Sequence, residues 1–146
     1  MINNPITQLE QLTLTSASKN FLRETARWAK FLAILGFIFI GLMVVFAIFA
    51  TTIFDLAEKM QPGIPGDLGL IMAAVYLVLA IIYFFPVYYL LQFSNKMKKA
   101  LATKDDDVLA KSFEMLKSHY KFIGVFTIIT ISLYILVIIV SVMGAI

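Results

Sequence analysis

The chain has 146 residues and no cysteine, which leaves room for one small unit and excludes disulfides, thiolate metal sites and a cysteine nucleophile. Hydrophobic residues make up 61% of it and charged residues 14%, against about 25% charged in soluble domains. So apolar a chain has too little polar surface to cover a core in water, whereas side chains facing lipid need no polar cover.

Three runs carry no charge: 31–54, 68–93 and 122–146. Each holds about 24 to 26 residues, and at about 1.5 Å per helical residue each reaches roughly 36–39 Å, beyond the about 30 Å of a bilayer's hydrocarbon core. Helices satisfy their backbone groups internally, as lipid demands. The sequence therefore predicts an all-α integral membrane protein. Its transmembrane helices are expected at about 29–54, 68–93 and 122–144, within a single domain over 18–146. The first run starts too far along the chain and is too long for the apolar stretch of a signal peptide, so it is expected to stay as an anchor.

Residues 1–17 precede that domain. Asn4-Pro5 suits a helix start and would put Ile6, Leu9 and Leu12 on one face. The tail reads either as a short surface helix or as a loose end. From Ser18 the helical pattern strengthens: Lys19, Arg23, Arg27 and Lys30 form a basic stripe, with Trp28 at the expected depth of an interfacial aromatic belt. Along the first helix Ala26, Ala29, Ala33, Gly36, Ala47 and Ala50 fall on one heptad-like seam with Ile40 and Met43. Small residues let helix backbones approach closely in a membrane. Packing within the protomer is the expected use of this seam, and an oligomerisation face is the rival.

The connection from Asp55 to Asp67 contains two Pro-Gly pairs, which read as turns. Asp55, Glu58 and Asp67 are expected to be solvated loop acids, with Asp67 placed to cap the second helix. That helix repeats the small-residue logic with Gly69, Ala73, Tyr76, Ala80, Tyr83 and Val87. Pro86 lacks an amide and clashes with the Ile82 carbonyl, so a kink is expected there.

Residues 94–121 read as a helical hairpin. Phe93, Met97 and Leu101 extend the second helix, and Leu109, Phe113, Leu116 and Tyr120 form the facing stripe. Thr103 and Asp106 are placed as a capping box between the arms, and Asp105-Asp106-Asp107 suits the positive end of the next helix. The triplet lacks the spaced ligands of a calcium loop. In the third helix Thr127, Tyr134 and Ser141 recur every seven residues with Thr130 beside them, the most polar stripe in any of the three runs. Such hydroxyls bond their own helix, cross to a neighbour or line water.

Orientation follows from the basic residues. Of the 12 lysines and arginines, all but Lys59 lie before the first run or between the second and third. The positive-inside rule puts those segments, and so the N-terminus and hairpin, in the cytoplasm and the C-terminus outside. Topology accounts for the net charge of +3, and nucleic acid is not an expected partner.

From Trp28-Ala29-Lys30-Phe31-Leu32 through Pro86, Leu90-Leu91-Gln92-Phe93-Ser94, Ala100-Leu101 and Leu109…Phe113…Leu116-Lys117…Tyr120…Gly124, the chain resembles a domain-of-unknown-function family of small three-helix membrane proteins found mainly in Bacteroidetes. The resemblance covers roughly residues 28–140. It implies a multi-pass protein of the bacterial cytoplasmic (inner) membrane and carries no functional residues.

Chemistry is sparse. His119 is the only histidine, and no Asp, Glu, Lys, Arg or His lies within the three runs, where intramembrane enzymes and coupled transporters hold theirs. No catalytic residue, metal site or cofactor is expected. The reading is a non-enzymatic structural, accessory or scaffold subunit. Its hairpin lysines Lys98, Lys99, Lys111 and Lys117 would meet a partner protein or anionic headgroups, within a homo-oligomer or a larger membrane complex. The alternative is a homo-oligomeric channel lined by the third helix through Thr127, Thr130, Tyr134 and Ser141.

Overall fold

The computed structural model describes residues 14–61, 63 and 67–144. Three helices account for nearly all of them: α1 over Ser16–Met60, α2 over Leu68–Thr103 and α3 over Asp106–Gly144, each long and apolar enough to cross a membrane. No strand occurs among the described residues. The Asn4-Pro5 helix start and the Pro62–Gly66 turn lie outside the described residues, except Gly63, which has φ +120.

α1 begins where Thr15 accepts the Ser18 amide on its Oγ1 at 3.1 Å, satisfying one donor of the first turn. The helix then runs through Asp55, Glu58 and Lys59 to Met60, so the first two acids stand on its final turns and not in a loop. Nothing in 55–60 breaks a helix, and Asp55 and Lys59 stand at the favourable i, i+4 spacing. At the other side of the connection Asp67 occupies the N-cap position of α2 without a side-chain cap bond. Its backbone carbonyl takes the Ile71 amide at 3.1 Å.

α2 is the middle element: it packs against α1 on one side and α3 on the other, while α1 and α3 do not approach backbone to backbone. The small-residue seam of α1 faces α2 within the protomer, with Ala26, Ala29, Ala33, Ala47 and Ala50 all buried. Two glycines on these helices leave no room for a methyl. A Cβ on Gly36 would lie 2.7 Å from Val87 Cγ2, and one on Gly69 would lie 2.8 Å from Thr51 Cα. Phe37 against Phe84 and Phe46 against Tyr76 fill the spaces beside the seam, at centroid separations of 5.8 and 4.6 Å. Tyr83 leaves it, turning to Phe126 of α3 at 6.0 Å.

The largest cluster of buried side chains lies at the hairpin end, where Ala26, Ala29, Phe93 and Met97 meet, ringed by Leu22, Leu90, Leu101, Leu109, Met115 and Leu116. Ser94 is fully buried there and donates its hydroxyl to the Ala26 carbonyl, fixing the register of α2 on α1. α3 contributes a face different from the expected one. Leu109 and Leu116 point inward, but Phe113 and Tyr120 are 43% and 66% exposed, while Ser112 is fully buried beside Met97. A buried serine is tolerable because its Oγ donates to the Leu109 carbonyl at 2.6 Å, leaving no orphan hydroxyl.

The turn between α2 and α3 also differs from a Thr103–Asp106 capping box. Thr103 is the last residue of α2 and donates its hydroxyl to the Lys99 carbonyl. The cap of α3 is Asp105, whose Oδ1 accepts the Val108 amide at 3.0 Å. Lys104 takes the left-handed conformation, φ 55 and ψ 41, and the Asp105 amide reaches back to the Ala100 carbonyl at 3.3 Å. The Lys104 amide also reaches the Ala100 carbonyl, so the helix closes through a left-handed residue, made with lysine where glycine is usual.

Candidate functional site

The hairpin end presents most of the charge. Thr103-Lys104-Asp105 reverses the chain within a few residues, so the end of α2 and the start of α3 project together from the apolar runs. Counted at about 1.5 Å per residue, α2 extends roughly 15 Å past Phe93 and the basic start of α1 roughly 22 Å before Phe31.

The four lysines singled out on the hairpin do not form one patch. Lys99, Lys111 and Lys117 are exposed. Lys98 is half-buried and turns toward α1, where it lines a cavity of about 290 Å³ with Arg23, Arg27, Leu101 and Ala102. No carboxylate lines that cavity. Arg23 and Arg27 come together because they are one helical turn apart on α1. Lys98 joins them because the Ser94–Ala26 hydrogen bond fixes which turn of α2 stands beside which turn of α1.

The polar stripe of α3 divides at Thr130. Thr127 and Thr130 line an open cavity of about 320 Å³ with Tyr83, Pro86 and Ile123. Thr130 is half-buried and returns its hydroxyl to the Phe126 carbonyl. Beyond it every described residue of α3 is exposed, with Tyr134 at 68% and Ser141 in the same condition. The inner half of the stripe, Thr127 and Thr130, therefore faces α2 across a cavity, while Tyr134 and Ser141 are left exposed.

Pro86 is buried, and α2 continues as helix through it. Its carbonyl accepts a hydrogen bond from His119 Nδ1 at 2.7 Å, so this nitrogen carries the proton. His119 is thus a strut from α3 to α2, a role hydropathy did not reveal. The signal was its place on the inward face, seven residues after Ser112 and three after Leu116. Below this strut Phe85 stacks on Phe122 at 6.1 Å, and α2 and α3 border a second open cavity of about 450 Å³. Ser118 and Lys121 lie at its hairpin end, and Ile129 lines its deeper part.

Comparison with protein-family models, curated proteins and solved structures finds no match to this chain. Fold and chemistry are therefore read from its own residues. They describe a three-helix membrane protein whose packed end carries most of its cations.

Proposed function

We propose that the protein is a non-enzymatic accessory or scaffold subunit of the bacterial inner membrane, with its N-terminus and hairpin in the cytoplasm and its C-terminus outside. The observation that carries this reading is the combination of eleven basic residues at one end of the helices with a hairpin held by buried packing and a capped turn. A loose basic loop would satisfy the positive-inside rule equally well. An ordered projection displaying Lys99, Lys111 and Lys117 to solvent is what a docking element for a partner protein or anionic lipid requires. The resemblance to the Bacteroidetes family supports the bacterial setting.

The test is charge reversal of Lys98, Lys99, Lys111 and Lys117 together, followed by isolation of the particle from native membranes in a mild detergent. A small copy number in a large heterogeneous particle, reduced by the variant, is the expected outcome. Unchanged association removes the hairpin from the function.

A second reading, a homo-oligomeric channel lined by α3, draws on one observation. Past Thr130 every described residue of that helix is exposed, Tyr134 and Ser141 among them. It predicts a symmetric particle and ion flux in liposomes that changes when Thr127 and Ser141 become leucine. Absence of flux ends it.

A further inference from the structure

We infer that Arg23, Arg27 and Lys98 form a binding site for a phosphate group, with the phosphate of an anionic glycerophospholipid headgroup as its source. This goes beyond the hairpin reading and does not depend on it, because two of the three cations belong to α1.

Three features separate this cavity from the general positive charge of the region. First, it is walled by two helices whose register is fixed by a buried hydrogen bond, so the cations converge from different elements. Second, no acid lines it. The nearest carboxylate in sequence, Glu24, lines a different cavity with Trp28 and Phe21. Three like charges around about 290 Å³ repel one another, and an anion placed among them relieves that repulsion and accepts charge-assisted hydrogen bonds. Third, the remaining lining side chains, Leu101 and Ala102, are apolar and offer an anion no competing acceptor. Two guanidinium forks and an ammonium match the several acceptor oxygens of a phosphate better than a single carboxylate.

Depth selects the source. Arg27 precedes Phe31, where the first run begins, by four positions, and Lys98 follows Phe93, where the second ends, by five. At about 1.5 Å per residue they stand roughly 6 and 7.5 Å outside the hydrocarbon, while the headgroup layer is about 5–7.5 Å thick on each side. Arg23 stands one turn further out, able to cover the phosphate from above. Trp28, exposed beside Arg27, belongs to the same interfacial layer.

The test uses the full chain in phosphatidylcholine vesicles containing a stepped fraction of phosphatidylglycerol with brominated acyl chains. Quenching of Trp28, the single tryptophan, reports the preference for the anionic lipid. Arg23 and Arg27 are exposed, so Arg23→Gln/Arg27→Gln keeps the fold, which circular dichroism verifies. At about 1 kcal/mol per cation near the surface, each loss lowers the preference about fivefold. Lys98→Gln lowers it similarly from the other helix. Lys104→Gln/Lys121→Gln removes the same charge as the arginine pair from exposed positions that belong neither to the cavity nor to the docking lysines, and lowers the preference several-fold less.

A parallel calorimetric titration of inorganic phosphate into the protein in pure phosphatidylcholine separates the two sources. Arginine-dependent phosphate heat without a phosphatidylglycerol preference keeps the phosphate site and assigns it to a soluble anion. Equal losses in the arginine and hairpin-lysine pairs mean diffuse attraction and overturn the proposal, as does an arginine pair that changes neither signal.

Discussion

The close approach of α1 and α2 makes a graded prediction, because three glycines on these helices face different obstacles. An alanine methyl at Gly36 would stand 2.7 and 3.0 Å from the two Val87 methyls, at Gly69 it would stand 2.8 Å from the Thr51 backbone, and at Gly41 it would meet nothing within 4 Å. Carbon–carbon contacts settle at about 3.5–4.0 Å, so the first two substitutions require a shift approaching 1 Å. Overpacking of this kind costs about 1–3 kcal/mol, and the higher helix propensity of alanine returns up to about 1 kcal/mol. Gly36→Ala should therefore destabilise by about 1 kcal/mol and Gly69→Ala by about 2 or more, since backbone cannot rotate away. Gly41→Ala should be neutral or slightly stabilising. Val87→Ala supplies the discriminating step, because it removes the methyls that obstruct Gly36. The double variant should exceed additivity by about 1 kcal/mol, and Val87→Ala should leave the Gly69→Ala defect untouched. Reversible unfolding in mixed detergent and dodecyl sulfate, followed by circular dichroism, measures all of these. If Gly36→Ala behaves like Gly41→Ala, or Val87→Ala fails to relieve it, the helix register described here is incorrect.

Other sites give sharper local tests. Lys104→Gly removes the left-handed strain of a residue with a Cβ and should stabilise the hairpin turn by about 1 kcal/mol, read as slower amide hydrogen exchange over 100–108; faster exchange would contradict the left-handed closure. Ser94→Ala deletes the hydroxyl that bonds the Ala26 carbonyl and should cost about 1 kcal/mol, with Ser94→Val costing more because the site has no room. His119→Phe keeps the bulk of the ring but loses the bond to Pro86, so it should destabilise the α2–α3 pair by about 1 kcal/mol. A spin-label distance between the loop end of α2 and the end of α3 should broaden in that variant, and an unchanged distribution would deny His119 its role as a strut.

The sequence made the α1–α2 contact legible because small residues recur along α1 at helical spacing, and in lipid small residues mark close approach. It misassigned the inward face of α3 because aromatic bulk at Phe113 and Tyr120 outweighs Ser112 in any count of hydrophobicity. The hydroxyl of Ser112 is satisfied by its own helix, which removes the usual cost of burying it, and hydropathy is blind to that. The convergence of Arg23, Arg27 and Lys98 was out of reach for a different reason. It depends on the relative register of two helices, which at the hairpin end is pinned by a serine–carbonyl bond between residues 68 positions apart.

The two inter-helix hydrogen bonds to backbone carbonyls, Ser94 to Ala26 and His119 to Pro86, both lie toward the hairpin end, on opposite sides of α2. They make that end a joined three-helix block, while every described residue of α3 past Thr130 is exposed. The distribution bears directly on the two functional readings. The hairpin reading uses only what the protomer has already built, so a single copy presents its docking surface complete. The channel reading needs other copies to supply every contact of the outer part of α3. It also has a physical motive: Tyr134 lies about 18 Å along the helix from Phe122, near the middle of the run, where a hydroxyl without a partner costs about 1–3 kcal/mol. A second α3 offering its own Tyr134 and Ser141 at the seven-residue spacing would remove that cost. Tyr134→Phe therefore distinguishes the readings at the level of assembly. It should lower particle mass if α3 associates with copies of itself, and leave the mass unchanged if the hairpin alone recruits the partner.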